Sequence, residues 1–324
     1  MSDSMTPEPT VLFPEVVDST ILSCIDECET KAYLQFMRRF AKSATPIALH
    51  AGGAFAHGVE SVRRNLYVHD MTVEEALIDG FKQLALYWGP DDIPPDHKDP
   101  RCFLNVLAAL FDYFLVEYPP DKDIWKPYVG SSGKPAIEYT FALPMEVNHP
   151  ITGQPLIYGG RADMIATNGA ILAVVDEKTT TSLGNTWAAQ WALRGQFIGY
   201  VYALQCAGMD CDTALIRGVA IQKTQIKHLQ AYESYSEQKV ERWWKDCHVK
   251  LRHIIEKYEQ YLDTKDEDTF THSWGTACSN YGGCGMKEIC DSDTPSDWYG
   301  NFITRTWNPL QKNPVAEREI RIAA

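Results

Sequence analysis

The chain has 324 residues, 45% of them hydrophobic and 23% charged. A chain of this length buries about 75% of its unfolded surface, so it needs no disulfides and has room for about two domains or one elaborated domain. With 30 Lys and Arg against 43 Asp and Glu, the net charge of -13 excludes adhesion to nucleic acid by bulk charge, while leaving room for local basic patches and bound metal ions. The longest apolar stretch, 102–116, contains Asn105 and Asp112 and falls short of the ~20 residues a membrane span requires. Residues 1–14 carry Asp3 and Glu8 and lack a secretory pattern. Nine cysteines with no visible signal peptide point to a cytoplasmic or other intracellular setting, a virus-encoded one included, with thiols free or metal-bound.

Residues 1–17 read as a loose leader. A helix is expected over 19–42, with Ser23 and Asp26 at its start. A second is expected over 54–67, after a Gly52-Gly53 breaker, and Thr72 with Glu75 forms a capping box for a third. A Pro- and Asp-rich loop at 89–100 precedes an apolar helix ending at Tyr118, and 119–135 is again loop. Strands follow over 137–147, 156–166 and 170–179, then a helix over 185–207, strands over 213–222 and 227–232, and a long amphipathic helix over 237–262. The expected class is α+β, divided as 1–17 leader, 18–135 helical N-terminal part, 136–265 core, and 266–324 C-terminal cysteine arm and tail.

Asn168-Gly169 is a strong hairpin signal. A two-residue turn there would pair Thr167 with Ala170 and set Asp163 opposite Val174. Because side chains alternate with period two, Asp163, Asp176 and Lys178 would share one face, with Asp176 the diagonal neighbour of Asp163 and Glu177 on the other face. Two carboxylates and a lysine so placed suit phosphodiester hydrolysis: the acids hold Mg²⁺ or Mn²⁺, and the ammonium orients a water and offsets developing charge. A salt-bridged exposed strand pair is the plainer reading of the same residues.

The runs Gly160-Arg161-Ala162-Asp163, Val174-Val175-Asp176-Glu177-Lys178 and Gln196-Phe197-Ile198-Gly199-Tyr200 together resemble the PD-(D/E)XK nucleases of the RecB type. The resemblance implies a restriction-endonuclease-like core, a central mixed sheet flanked by helices. It further implies His57 as an imidazole ligand, the Glu177 backbone carbonyl as a ligand, Glu138 as support or water-bridged ligand, and Gln196 and Tyr200 as aligners of the DNA strand.

Cys278, Cys284 and Cys290 follow at equal intervals in a Gly-rich stretch, and Cys28-Glu29-Thr30-Lys31-Ala32-Tyr33-Leu34 resembles the early cysteine helix of iron–sulfur members of that family, the AddB-type and CRISPR adaptation nucleases. This resemblance implies a structural [4Fe–4S] cluster on Cys28, Cys278, Cys284 and Cys290. Their first late gap is longer than the family's CxxC. Zinc is the rival metal, although it commonly uses shorter gaps, and Cys24 is an alternative to Cys28. Cys102, Cys206, Cys211 and Cys247 read as core.

Arg161 and Arg194 flank the expected centre. Lys31, Arg38, Arg39, Lys42, Arg63 and Arg64 add basic charge, with Trp187, Trp191 or Tyr200 as stacking surfaces for single-stranded DNA. The expectation is a Mg²⁺- or Mn²⁺-dependent deoxyribonuclease trimming single-stranded ends, in a recombination, repair or CRISPR adaptation setting with a helicase or recombination partner. A noncatalytic, metal-stapled DNA-binding or adaptor subunit is the alternative.

Overall fold

The structure is a computed structural model and describes residues 11–89, 98–184, 186–279 and 283–311. In chain order its elements are β1 (Val16–Val17), α1 (Ser19–Glu27), α2 (Glu29–Ala32), β2 (Phe40–Ala41), α3 (Ile47–Tyr67), α4 (Val73–Trp88), α5 (Phe103–Asp112), β3 (Lys126–Pro127), β4 (Ile137–Asn148), β5 (Pro155–Thr167), β6 (Leu172–Thr180), α6 (Gly195–Cys206), β7 (Cys211–Ile221), β8 (Ile226–Ser234), α7 (Glu237–Thr264), α8 (Lys287–Cys290) and β9 (Ile303–Thr304). The expected α+β class holds: a mixed sheet is flanked by helices. Among the described residues, no helix is long and apolar enough to cross a membrane.

The chain forms two compact units, each assembled from separated stretches. One contains 45–140 and 161–241; the other contains 1–44, 141–160 and 242–324. In the first unit, β5 and β6 are antiparallel, β6 and β7 parallel, and β7 and β8 antiparallel. The parallel pair is the one joined through a helix, α6, as a crossover requires. Strands β6 and β7 each carry a run of consecutive buried apolar residues (Ala173, Val174 and Val175; Ala214, Leu215 and Ile216), the pattern of a sheet covered on both sides there. A separate apolar cluster joins α3, α4 and α5 through Phe55, Val59, Val62, Leu77, Leu84, Val106 and Leu110. Full burial of each large side chain there is worth about 1.5–3 kcal/mol.

The Thr72–Glu75 capping box is present, with Thr72 Oγ1 accepting from the Glu75 N–H and the Glu75 carboxylate accepting from the Thr72 N–H. The Gly52-Gly53 breaker is corrected, because α3 runs through both residues from Ile47. These glycines permit close packing: a Cβ on Gly53 would lie 2.2 Å from the Tyr87 hydroxyl oxygen. The two-residue hairpin is also corrected. Thr167 pairs with Leu172 and Met164 with Val175, so four residues close the loop. Asn168 Oδ1 accepts from the N–H groups of Ala170 and Ile171, and Thr167 Oγ1 from that of Gly169, so side chains stabilise a longer turn. The register moves by two residues, which preserves the face of every side chain.

In the second unit, the expected continuous helix over 19–42 is broken. Asp18, not Ser23, caps α1 by accepting from the Ile21 N–H, and Cys28 interrupts the helix with extended backbone. A π-helical turn over Tyr33–Met37 and the strand β2 complete the segment. The expected leader is partly structured, since β1 pairs in parallel with Ile157–Tyr158 and Phe13 is buried; residues 1–10 lie outside the described residues. Helix α7 buries Cys247, Leu251, Ile254 and Tyr258 on the expected stripe. The helix expected over 185–207 begins only at Gly195, after a 3₁₀ turn at Ala189–Trp191, and its expected first residue, Asn185, is not described. The loop expected at 89–100 lies outside the described residues over 90–97, and β3 interrupts the one expected over 119–135.

Candidate active site and cysteine cavity

The acid-and-lysine face forms where β5 and β6 meet. The paired register ends at Met164↔Val175, one residue short of Asp163 on β5 and of Asp176 on β6, and its two-residue offset keeps both acids on the expected face. Asp163 Oδ2 accepts from the Glu177 N–H at 3.1 Å. Lys178 Nζ stands 2.6 Å from Asp176 Oδ1, a buried oxygen, and forms an ion pair with it. Asp176 Oδ2 accepts from Gln196 Nε2 at 3.3 Å. Gln196 Nε2 also donates to Tyr200 Oη at 3.0 Å, one helical turn along α6, and Tyr200 donates to the Arg161 carbonyl at 2.8 Å. Asp163, Asp176, Lys178, Gln196 and Tyr200 thus form one connected group with the backbone of Arg161 and Glu177.

The electrostatics of this group follow from burial and like charge. Burial and then the Asp176, Glu177 and Glu138 charges push the Asp163 carboxyl well above the carboxylate range, against Lys178. Burial likewise raises Asp176, with Lys178 opposing. Burial would lower the Lys178 ammonium, yet the charges of Asp176 and Asp163 outweigh it and keep the amine protonated. Two buried acids that resist ionising together suit a bound cation, which reverses the sign of each of these effects. The donor set is therefore chemically suited to Mg²⁺ or Mn²⁺. Among the described residues, no three His, Cys, Asp or Glu side chains stand ready-made around a single ion.

Glu138 adopts a left-handed backbone, φ 54°, and lies 2.6 Å from Arg161 Nε through Oε2. Burial raises its carboxyl to about 7 despite the neighbouring arginine. A non-glycine residue at positive φ stores strain, of order 1 kcal/mol or more, and such strain collects at functional sites. His57 stacks on Tyr87 at 4.6 Å between ring centroids. Arg194 caps α6 and is exposed, its guanidinium 5.6 Å from the Trp191 ring centre.

Several expected DNA contacts are corrected. Arg38 and Arg63 are buried: Arg38 donates to Tyr33 and Glu267, and Arg63 to Glu177 and Tyr113. Trp187, Trp191 and Tyr200 are buried too, so they offer no open ring face for a base. Trp187 instead packs over Gly218. Sequence reasoning missed Tyr113, whose hydroxyl donates to Glu177 at 2.7 Å behind the site.

In the second unit, Cys28, Cys278, Cys284 and Cys290 all line one cavity of about 270 Å³, together with Lys31, Trp274 and Lys287. Backbone bonds order the late cysteines: the Cys284 N–H donates to the Cys278 carbonyl and the Cys290 N–H to that of Met286. Burial, then the neighbouring Cys284, Cys28 and Cys278, raise the Cys290 thiol to about 11, as expected for thiols sharing one enclosure. Cys24 is buried and does not line this cavity; burial raises its thiol to about 12. Cys211 and Cys247 are core, whereas Cys206 is exposed and Cys102 half-buried, correcting the expectation for those two.

No protein-family model and no curated protein matches this chain. Among solved structures it is similar to SSO0001, at 18% identity and a TM-score of 0.23; the match covers 35% of this chain and 48% of SSO0001, so the chain spans about half of that protein's length. It is also similar to a crystal structure from Eubacterium rectale described as a "Putative exonuclease", at 12% identity and a TM-score of 0.44, covering 74% of this chain and 80% of that one. Neither likeness bears on activity.

Proposed function

We propose that this chain is a metal-dependent deoxyribonuclease that trims single-stranded ends, stapled by a [4Fe–4S] cluster. The observation that carries the catalytic reading is the grouping of the two acids where β5 and β6 meet, Asp163 held by the Glu177 N–H and Asp176 by Lys178 and Gln196, each on one of its oxygens. Asp163 and Asp176 would hold Mg²⁺ or Mn²⁺, with His57 and the Glu177 carbonyl as the further ligands that the resemblance implies. When bound, such an ion polarises the phosphate and acidifies water.

The chain's own groups supply the rest. Lys178, kept protonated, acts as a donor: it orients the attacking water and offsets charge on the phosphate oxygens. Gln196 fixes the second oxygen of Asp176, and Tyr200 ties Gln196 to the backbone of β5. Glu138 orients Arg161, which with Arg194 would meet the DNA backbone. The test is cleavage of end-labelled single- and double-stranded DNA in Mn²⁺, Mg²⁺ and EDTA. The reading expects cleavage in either metal, faster on single strands, and none in EDTA or with Lys178→Ala.

The cluster reading is supported by Cys28, Cys278, Cys284 and Cys290 lining one cavity. An anaerobic preparation should be brown, with visible absorbance and iron and sulfide in equal amounts.

A further inference from the structure

Glu177 faces both sides of β6. Its backbone N–H holds Asp163 Oδ2 at 3.1 Å, while its side chain lies on the opposite face. There Arg63 Nη1 donates to Oε2 at 3.0 Å, Arg63 Nη2 donates to Oε1, and Tyr113 Oη donates to Oε1 at 2.7 Å. Tyr113 Oη in turn accepts from Arg63 Nη2 and from Arg217 Nη1, each at 3.1 Å. Arg217, beside Glu177 in the β6–β7 register, donates to Asp123 at 2.8 Å. The Arg63 and Glu177 side chains are 4% and 2% exposed.

A buried ion pair of this kind is a poor source of stability, because desolvation cancels most of the attraction and an apolar pair of equal volume often does as well. What the pair does supply is a fixed position. The anchored side chain and the N–H that grips Asp163 belong to one residue, so displacing the first displaces the second.

We infer that Arg63 and Tyr113 are positioning residues: by pinning the Glu177 side chain behind the sheet, they set the backbone N–H that holds the Asp163 carboxylate. The inference rests on the proposed nuclease reading for its catalytic consequence, and on hydrogen-bond geometry for the anchor itself.

The test uses the full chain carrying Arg63→Met with Glu177→Met, which keeps the volume and removes both charges, and separately Tyr113→Phe, which removes one oxygen. Two quantities are read: amide hydrogen exchange at residue 177, and the Mn²⁺ concentration for half-maximal cleavage beside the KM for DNA. The double variant is expected to exchange that amide at least about tenfold faster and to need about tenfold more Mn²⁺ at unchanged KM, the range of losses when groups behind a metal ligand are removed. Tyr113→Phe should move both in the same direction by a smaller factor. Folded variants with wild-type exchange and wild-type Mn²⁺ demand would overturn the inference. Should the double variant not fold, Tyr113→Phe decides by the same two readouts. A wild-type chain that cleaves nothing in Mn²⁺ defeats the nuclease reading, while amide exchange still decides whether the anchor exists.

Discussion

The acid-and-lysine centre and the cysteine cavity are built by opposite means. The first rests on two long adjacent strands and a helix, all within 161–200, and each side chain is held by a hydrogen bond or an ion pair. The second gathers Cys28 and three much later cysteines carried on short turns, and Cys28 Sγ lies 3.9 Å from the Thr271 carbonyl oxygen. A preorganised polar network suits charge stabilisation, where small displacements are costly. Thiols gathered around one cavity suit a ligand that supplies its own strong bonds and so completes the local fold.

Separate variants should therefore break the two regions separately. The largest effect is expected from Asp176→Ala, which should lower cleavage about a thousandfold or more while leaving the visible absorbance of the cluster intact, checked by labelled-DNA turnover and an absorbance spectrum. Next, Cys284→Ser should abolish that absorbance and lower the thermal midpoint by several degrees, read by spectroscopy and calorimetry. Gln196→Ala, which frees one oxygen of Asp176, should cost about 10- to 100-fold in cleavage with little change in thermal midpoint. The smallest effect belongs to Thr72→Ala. It removes the α4 cap, costs about 1 kcal/mol in denaturant unfolding, and leaves both cleavage and absorbance unchanged.

The same contrast explains what was legible in the sequence. Strand faces follow from a period of two, and the actual register differs from the expected one by two residues, so Asp163, Asp176 and Lys178 were assigned to one face despite the wrong turn. The turn itself was missed because Asn168 stabilises a longer loop through side-chain bonds that a dipeptide rule does not count. Gly52-Gly53 reads as a break because propensity is local, whereas the close approach of Tyr87 that needs Gly53 is tertiary. Arg63 looked like a surface cation for the same reason: its acid lies 114 residues away on the back of β6. Charge in a sequence does not say which side of a helix will be buried.

The most direct test of the account is the affinity of the chain for Mn²⁺ measured by calorimetry, in the wild type and in Asp163→Asn with Asp176→Asn. Binding of the ion to the wild type, lost when both carboxylates become amides while the cysteine-borne absorbance persists, is the predicted result. Equal binding to both proteins, or none to the wild type, would contradict the claim that these two acids form a cation site.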